Sequence, residues 1–298
     1  MELPLRTRAF AYTRLADPST HIRLLSICQS KPGEKRKCRL KAYQIVKVPR
    51  YTAVSYCWGY PADQVDIIVN KARMTIGCNC EYVLQQASWY GGGLYWIDAI
   101  CIDQSNDDEK ASQVQMMGAI YRAAHNVLAC VGPHVEAEKS AMLCQYLRDH
   151  ESILRGFADK IQPGQGVAKF AEMQTGTAGA ALLKKFAAVR YHSVLEVQEP
   201  VIPALLAMLQ RTYFRRTWVA QELYMARKPA LCCGADVCDL AASTGLLVYA
   251  TYDEPYWDKT NRTRALETRR GTDIPMIPAL VFRTRLEYRN RGGAFRKS

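Results

Sequence analysis

The segment from Leu94 to Gly132 constrains the fold more than any other part of the chain. Its sequence, LYWIDAICIDQSNDDEKASQVQMMGAIYRAAHNVLACVG, has the pattern of a buried strand, a polar turn, an amphipathic helix and a second buried strand. Two strands joined through one helix over so short a connection are typical of a parallel sheet with a right-handed crossover. The segment therefore predicts an α/β fold.

A carboxylate interrupts the first of these strands. Trp96, Asp98 and Ile100 alternate onto one predicted face, whereas a strand buried on both faces is normally a continuous apolar run. Burying a charge without a partner is costly, so Asp98 should have either a partner or a function. It lies near the carboxyl end of the strand, at the edge where open α/β sheets collect ligands.

A second polar residue occupies the matching place in another strand. Ser55 lies near the end of the predicted strand Tyr51–Cys57, just before the turn at Trp58-Gly59. In one interpretation, Ser55, Trp58 and Asp98 line one crevice. In the other, Asp98 accepts hydrogen bonds from the Trp58–Tyr60 loop and stabilises the fold. The residues alone leave both interpretations open.

The rest of the chain is predicted to combine short strands with helices. The predicted strands are His21–Cys28, Cys38–Val48, a hairpin over Asp66–Ile76 that turns at Asn70-Lys71, Val127–Val131 and Pro229–Cys233. The predicted helices are Cys80–Tyr90, one that begins after Asn106, Glu138–His150, Pro203–Gln210, Phe214–Ala226, and one that Asp239 caps and that ends at Tyr252. Loops are predicted at residues 162–165 and 175–181.

The turn before the central helix contains a capping pattern. Asn106 is the predicted N-cap, and Glu109 three residues later completes a capping box. Asp103 and Gln104 are typical of the turn that leads into such a helix. Gln113, one helical turn beyond Glu109, is expected to tie the helix to the sheet.

Composition excludes several classes of protein. The eleven cysteines have no spacing typical of a zinc site or a disulfide framework, so we expect no metal site and reduced thiols in a cytoplasmic protein. No apolar run approaches the roughly 20 residues that span a bilayer, so no transmembrane segment is expected. Neither a glycine-rich dinucleotide fingerprint nor a Walker loop is present in the sequence.

The net charge of +12 is concentrated at both ends of the sequence. Residues 1–50 contain 12 lysines and arginines against 3 acidic residues, and residues 261–298 contain 10 against 3. These basic flanks lack the interleaved aromatic residues of a surface that stacks nucleic-acid bases. We therefore expect solvated flanks and no specific nucleic-acid partner.

Four sequence blocks together resemble the fungal heterokaryon incompatibility (HET) domain in order and spacing. They are YTAVSYCWG (Tyr51–Gly59), LYWIDAICIDQ (Leu94–Gln104), QVQMMGAIYRAAHNVLACVG (Gln113–Gly132) and RTWVAQELYMAR (Arg216–Arg227). The resemblance covers about residues 20 to 234 of this sequence. It implies a role in non-self recognition, with programmed cell death triggered when incompatible fungal cells fuse. It also implies self-association, or another incompatibility protein as partner.

The chain departs from the HET pattern at two places. Asp103 stands where the family more often has Asn, and the chain stops at RNRGGAFRKS where many members continue. The resemblance thus implies an N-terminal segment at residues 1–19, a HET domain at 20–252 with a helical insertion at about 136–212, and a basic tail at 253–298. We expect a short or truncated family member.

A weaker similarity to TIR domains bears on mechanism. In TIR domains that cleave NAD, a Trp-Cys-x-x-Glu-Leu segment carries the glutamate. Trp218-Val219-Ala220-Gln221-Glu222-Leu223 is similar but lacks the Cys. The resemblance implies a TIR-like (flavodoxin-type), mainly parallel sheet flanked by helices, with an N-terminal β hairpin and a helical insertion. The long stretch between Gly132 and Trp218 departs from TIR domains, where the motif closely follows its strand.

This similarity implies a specific chemistry for Glu222. Cleavage of the nicotinamide–ribose bond passes through an oxocarbenium-like ribose, which a nearby carboxylate can stabilise. Trp218, one helical turn earlier, would lie on the same face and could stack on a ring. In the alternative interpretation Trp218 anchors the core, and Glu222 pairs with Arg215 or Arg216.

Two molecular hypotheses follow from the two resemblances. In the first, the chain is an NAD-consuming hydrolase that uses Glu222, with Ser55, Trp58, Asp98 and Trp218 shaping the pocket. It then requires no cofactor, because NAD is the substrate. In the second, it is a non-catalytic, self-associating signalling module. TIR folds serve both purposes, so the analogy of fold does not decide between them.

Overall fold

The computed structural model describes residues 8–28, 34–160 and 198–252. Contacts divide the chain into two compact units. The first unit comprises Met1–Gly132 and Met225–Ala235, and the second comprises Pro133–Tyr224 and Asp236–Ser298. The predicted loops at 162–165 and 175–181 and the tail at 253–298 lie outside the described residues.

The first unit contains a sheet, helices and a short 3₁₀ helix over Ile45–Lys47. Its strands are β1 (His21–Ile27), β2 (Lys37–Gln44), β3 (Tyr51–Tyr56), β4 (Gln64–Val69), β5 (Ala72–Gly77), β6 (Leu94–Trp96), β7 (Asn126–Gly132) and β8 (Pro229–Cys233). Its helices are α1 (Cys78–Tyr90), α2 (Asp98–Cys101) and α3 (Asp107–Ala123). Most of these elements lie within a few residues of the predicted ones.

The sheet of the first unit is mixed. Its strands lie in the order β5-β4-β2-β1-β6-β3-β7-β8. β6, β3, β7 and β8 run parallel to one another, whereas β1 is antiparallel to both β2 and β6, and β4 is antiparallel to β5. The predicted α/β class and the N-terminal hairpin are confirmed. The prediction of a mainly parallel sheet needs correction, because two hairpins contribute antiparallel pairs.

The parallel strands form the buried centre of the sheet. All six residues of β3 are buried, as expected for a strand with neighbours on both sides and covered faces. β6 and β7 lie on opposite sides of β3 and run parallel to it, with α3 between them in sequence. The strand–helix–strand unit predicted from Leu94–Gly132 is therefore present.

The predicted first strand of that unit is shorter than expected. β6 ends at Trp96, and α2 begins at Asp98. The sequence pattern predicts that Asp98 lies on a strand face, and this prediction is wrong. Asp98 lies in the first turn of a helix, where the helix dipole favours a negative charge. A short strand followed by one helical turn produces the same alternation of apolar residues as a longer strand.

A buried ion pair replaces half of the predicted capping box. Asn106 accepts a hydrogen bond from the Glu109 backbone N–H at 3.0 Å, as an N-cap should. The Glu109 carboxylate instead pairs with Arg23 of β1 and accepts the Asp103 backbone N–H at 2.8 Å. Gln113 donates to the carbonyl oxygen of His21 at 2.9 Å, which confirms that it ties α3 to the sheet.

The second unit is mainly helical. It contains α4 (Ser140–Asp149), α5 (Glu151–Lys160), α6 (Gln198–Leu209), α7 (Thr217–Met225), α8 (Leu240–Tyr252), the strand β9 (Asp236–Asp239) and 3₁₀ helices at Glu136–Glu138 and Thr212–Arg215. α8 packs against α5 and α6, and α4 packs against α6 and β9. Asp239 accepts the Ala241 backbone N–H at 2.6 Å, so the predicted cap of α8 is confirmed. No helix within the described ranges has the length and apolar character needed to cross a bilayer.

Gly245 allows α8 to approach α5 closely. A Cβ atom at this position would lie 2.1 Å from the carbonyl oxygen of Leu154. This atom belongs to the backbone of α5, so it cannot turn away as a side chain would. The two helices can therefore keep their spacing only with glycine at position 245.

We predict that Gly245→Ala destabilises the protein by about 1–3 kcal/mol, the usual cost of overpacking. The measurement is urea-induced unfolding. Gly92→Ala is the control, because its Cβ would meet no atom within 4 Å, and it should change stability by less than about 0.5 kcal/mol. Equal effects of the two substitutions would show that the α5–α8 contact is not this tight.

Candidate functional site

Ser55 and Asp98 reach the same edge of the sheet. β3 and β6 are parallel, with Ala53 opposite Trp96. Ser55 and Asp98 each follow this pair by two residues, so both lie at the carboxyl ends of their strands. The strand order also reverses at β3, because β6 and β7 lie on either side of it. Open α/β sheets bind ligands at such a switch point.

Hydrogen bonds from Trp58 and Ala99 hold the Asp98 carboxylate. The Trp58 indole N–H donates to Oδ2 at 2.8 Å, and the Ala99 backbone N–H donates to Oδ1 at 2.7 Å. The hydrogen bond expected from the Trp58–Tyr60 loop in the stabilising interpretation is therefore present. Trp58 is nevertheless 48% exposed, so Asp98 fixes the orientation of a ring that remains accessible.

Gly59 shapes the turn that presents Trp58. Its φ is +83°, and a Cβ atom there would lie 2.8 Å from Nδ2 of Asn79. Asn79 in turn donates to the carbonyl oxygen of Cys57 at 3.3 Å. The turn after β3 is thus fixed by a glycine conformation and by a side chain of α1.

Two buried residues at this edge were not identified from the sequence. Burial raises the pKa of the Tyr56 phenol well above its ordinary value, and the charge of Asp98 raises it further. Burial likewise raises the pKa of the neighbouring Cys80 thiol to about 12. Both groups are therefore neutral at neutral pH. Their sequence signal was weak: a phenol at the end of an apolar run for Tyr56, and a thiol at the start of a predicted helix for Cys80.

The three predicted residues at this edge differ in how accessible they are to solvent. Ser55 is only 1% exposed, whereas Asp98 is half-buried and Trp58 is half-exposed. A ligand arriving at this face of the first unit would first meet the Trp58 ring and the Asp98 carboxylate.

In the second unit, α7 carries the other two predicted site residues. Glu222 is 1% exposed, and Arg216 Nη2 donates to its Oε1 at 3.3 Å. The pairing with Arg216 that the alternative interpretation proposed is thus present. Trp218 is 50% exposed, so its interpretation as a core anchor is wrong. Val219 and Leu223 are fully buried and anchor the helix instead.

Each unit thus contains part of the predicted set. Ser55, Trp58 and Asp98 belong to the first unit, and Trp218 and Glu222 belong to the second. Asp98 and Glu222 are both held by a defined partner. Their roles in binding or chemistry stay predictions.

The four sequence blocks quoted above form three features of this structure. These are the core of parallel strands, the carboxylate at its carboxyl edge and the buried glutamate on a later helix. The sequence pattern of the heterokaryon incompatibility (HET) family matches residues 51–222, more than half of the chain. The chain therefore belongs to the HET family. No solved structure matches it.

Two curated relatives are incompatibility proteins. The chain is 28% identical over 256 residues to heterokaryon incompatibility protein 6, OR allele, of Neurospora crassa. The aligned region covers 75% of this chain and 34% of the relative. It is 32% identical over 82 residues to vegetative incompatibility protein HET-E-1 of Podospora anserina, which covers 26% of this chain and 6% of the relative. The chain thus spans about a third or less of the length of these relatives.

We predict that Trp58→Phe lowers the free energy of unfolding by about 1–2 kcal/mol, because a hydrogen bond to a charged group is lost. Urea-induced unfolding is the measurement. Trp89→Phe is the matched control, since Trp89 is 47% exposed and its only described ring contact is with Tyr82. If both variants lose the same stability, the Trp58–Asp98 bond contributes nothing specific.

Proposed function

We propose that this chain acts in fungal non-self recognition and triggers programmed cell death when incompatible cells fuse. Its membership of the HET family and its two relatives among incompatibility proteins support this role. It acts in the cytoplasm, and its partner is a second copy of itself or another incompatibility protein. The eleven cysteines all lie in the described ranges and no disulfide joins them, as is usual in a reducing compartment.

The core of the first unit is TIR-like in this proposal. The parallel strands β3, β6, β7 and β8, taken in chain order, lie in the spatial order second, first, third, fourth. This is the order of flavodoxin-type sheets. The hairpins β1–β2 and β4–β5 are additions to that core on the side of β6.

The chemistry we propose is hydrolysis of NAD, with Glu222 as the catalytic carboxylate. The bond between ribose C1′ and the nicotinamide nitrogen breaks, and its electron pair leaves with nicotinamide. Water then adds to C1′, giving ADP-ribose and a proton. An ionised carboxylate stabilises the positive charge that develops on the ribose. Ser55, Trp58, Asp98 and Trp218 are the proposed nucleotide-binding residues, and no metal or further cofactor takes part.

One observation carries this proposal more than any other: Glu222 is a buried carboxylate beside a guanidinium. Arg216 donates to the Glu222 carboxylate at 3.3 Å, so the buried acid has a charged partner. A buried charge is expensive to maintain and is retained where it has a partner or a task. The half-exposed Trp218 ring, one helical turn earlier, is an aromatic surface on which a nicotinamide or adenine ring could stack.

The second candidate is a non-catalytic module that signals by self-association. The low exposure of Glu222 favours this candidate, because a carboxylate with a structural role is usually buried in this way. The half-exposed rings of Trp58 and Trp218 would then contact another protein rather than a nucleotide.

We predict that the purified chain at high concentration releases nicotinamide from NAD and that Glu222→Gln lowers the rate by about 100-fold or more. Chromatography of the products is the measurement. Glu138→Gln is the matched control, because it removes another Glu–Arg pair of the second unit, with Arg211 at 2.7 Å. It should retain most of the activity.

The outcomes separate the two candidates. Equal rates for the unaltered chain and Glu222→Gln would remove Glu222 from the chemistry. No release by the unaltered chain, even when it is clustered, would leave the non-catalytic module. Circular dichroism of each variant shows whether a loss of rate reflects a loss of fold.

A further inference from the structure

Basic residues gather at the amino edge of the parallel strands, opposite the edge that carries Asp98. Arg50 precedes β3, His125 precedes β7, and Arg227 and Lys228 precede β8. These three strands are adjacent and parallel. Their register places His125 level with Arg227, and places Arg50 and Lys228 within one residue of that level. Residues separated by more than a hundred positions in sequence thus form one surface of the first unit.

Arg50 and His125 are in direct contact. Arg50 Nη2 lies 2.6 Å from Nε2 of His125 and 3.2 Å from its Nδ1. A guanidinium can donate only to an imidazole nitrogen that carries no proton. Partial burial, followed by the charges of Arg50, Lys228 and Arg227, holds the pKa of His125 below its ordinary value. Burial and the neighbouring cations thus both favour the neutral imidazole.

Two exposed cations of this edge, Arg50 and Lys228, pair with no carboxylate within the described residues. Within the same residues, Arg122, in the last turn of α3, donates only to the thioether of Met225 at 3.0 Å. A thioether is a weak acceptor.

Two other cations of the same unit do have acidic partners. Lys35 pairs with Asp66 at 3.1 Å, and Arg36 pairs with Glu81 at 2.9 Å. Arg50 and Lys228 differ from these two residues, because no carboxylate pairs with them within the described ranges.

We propose that this amino-edge patch, formed by Arg50, Arg122, His125, Arg227 and Lys228, binds clustered phosphate groups. Guanidinium groups match phosphate oxygens in a bidentate geometry, and several cations on one surface attract a polyanion from a distance. A phosphate bound between Arg50 and His125 would favour the protonated imidazole, which could then donate to the anion. The same chemistry is offered by a soluble polyphosphate and by a phosphorylated lipid headgroup.

The inference does not depend on NAD hydrolysis. The amino-edge patch lies at the end of the strands away from Ser55 and Asp98, and it contains none of the residues proposed to bind NAD. Loss of phosphate binding and loss of nicotinamide release are therefore separate results.

The test uses the full chain with two probes. Inorganic tripolyphosphate binding is measured by calorimetry, and binding to phosphatidylcholine vesicles that contain phosphatidylinositol bisphosphate is measured by flotation. The double variant Arg50→Glu/Lys228→Glu should weaken binding by about tenfold or more. The control variant Lys41→Glu/Lys110→Glu has the same net charge, alters exposed residues elsewhere in the first unit, and should stay within about twofold of the unaltered chain.

Each outcome either supports or overturns the proposal. If the chain binds tripolyphosphate and only Arg50→Glu/Lys228→Glu weakens this binding, the ligand is soluble. If the same result is obtained with the vesicles alone, the ligand is a lipid headgroup. Binding of neither probe overturns the proposal. Equal weakening by both double variants also overturns it, because binding would then follow net charge. Nuclear magnetic resonance should show the pKa of His125 rising with saturating probe, and an unchanged pKa would contradict contact at this patch.

Discussion

The buried pair of Arg23 and Glu109 is the interaction on which the first unit depends most. Both side chains are about 3% exposed, and both nitrogens of the guanidinium fork meet the two carboxylate oxygens. Arg23 also donates to the carbonyl oxygens of Cys101 and Thr13, and it lies 4.9 Å from the ring centre of Tyr12. The pair thus joins β1, the start of α3, the end of α2 and the N-terminal segment. Since α2 begins with Asp98, the position of that carboxylate depends on this pair.

Three acids of the HET segments differ in surroundings, and this difference suggests how their roles divide. Glu109 is buried and fully bonded to Arg23 and a backbone amide, so it holds the fold together. Asp98 is only half-buried and orients the exposed Trp58 ring. Glu222 is buried beside Arg216 on a helix that presents Trp218 to solvent. The contacts of the Glu109 carboxylate are with Arg23 and a backbone amide, so its role is structural.

Local patterns predicted the individual elements better than their arrangement. The hairpin turn at Asn70-Lys71 was predicted correctly, and both residues have the positive φ that such a turn requires. The mixed order of the sheet was not predicted, because strand neighbours are set by contacts distant in sequence. The two readings of LYWIDAI, one long strand or a short strand and a helical turn, share the same apolar alternation. Only the structure distinguishes them.

Contacts between residues distant in sequence were not predicted either, because local patterns do not indicate them. Glu109 fitted a local capping box, so nothing indicated Arg23, 86 positions earlier, as its partner. The contact of Arg50 with His125 spans 75 positions. The positions of Ser55 and Asp98 were predictable because each lies at the end of an apolar run that forms a parallel strand. Their burial was not, since it depends on which helices and loops cover the edge.

A buried, desolvated ion pair organises the unit that carries Asp98. A double-mutant cycle on urea-induced unfolding with Arg23→Met and Glu109→Met tests it most directly. Each single substitution leaves an uncompensated buried charge, so each should cost about 3–5 kcal/mol. The double variant should lose clearly less than the two losses combined, because no buried charge remains. Losses that simply add would mean that the two side chains stabilise the fold independently, and would contradict the account.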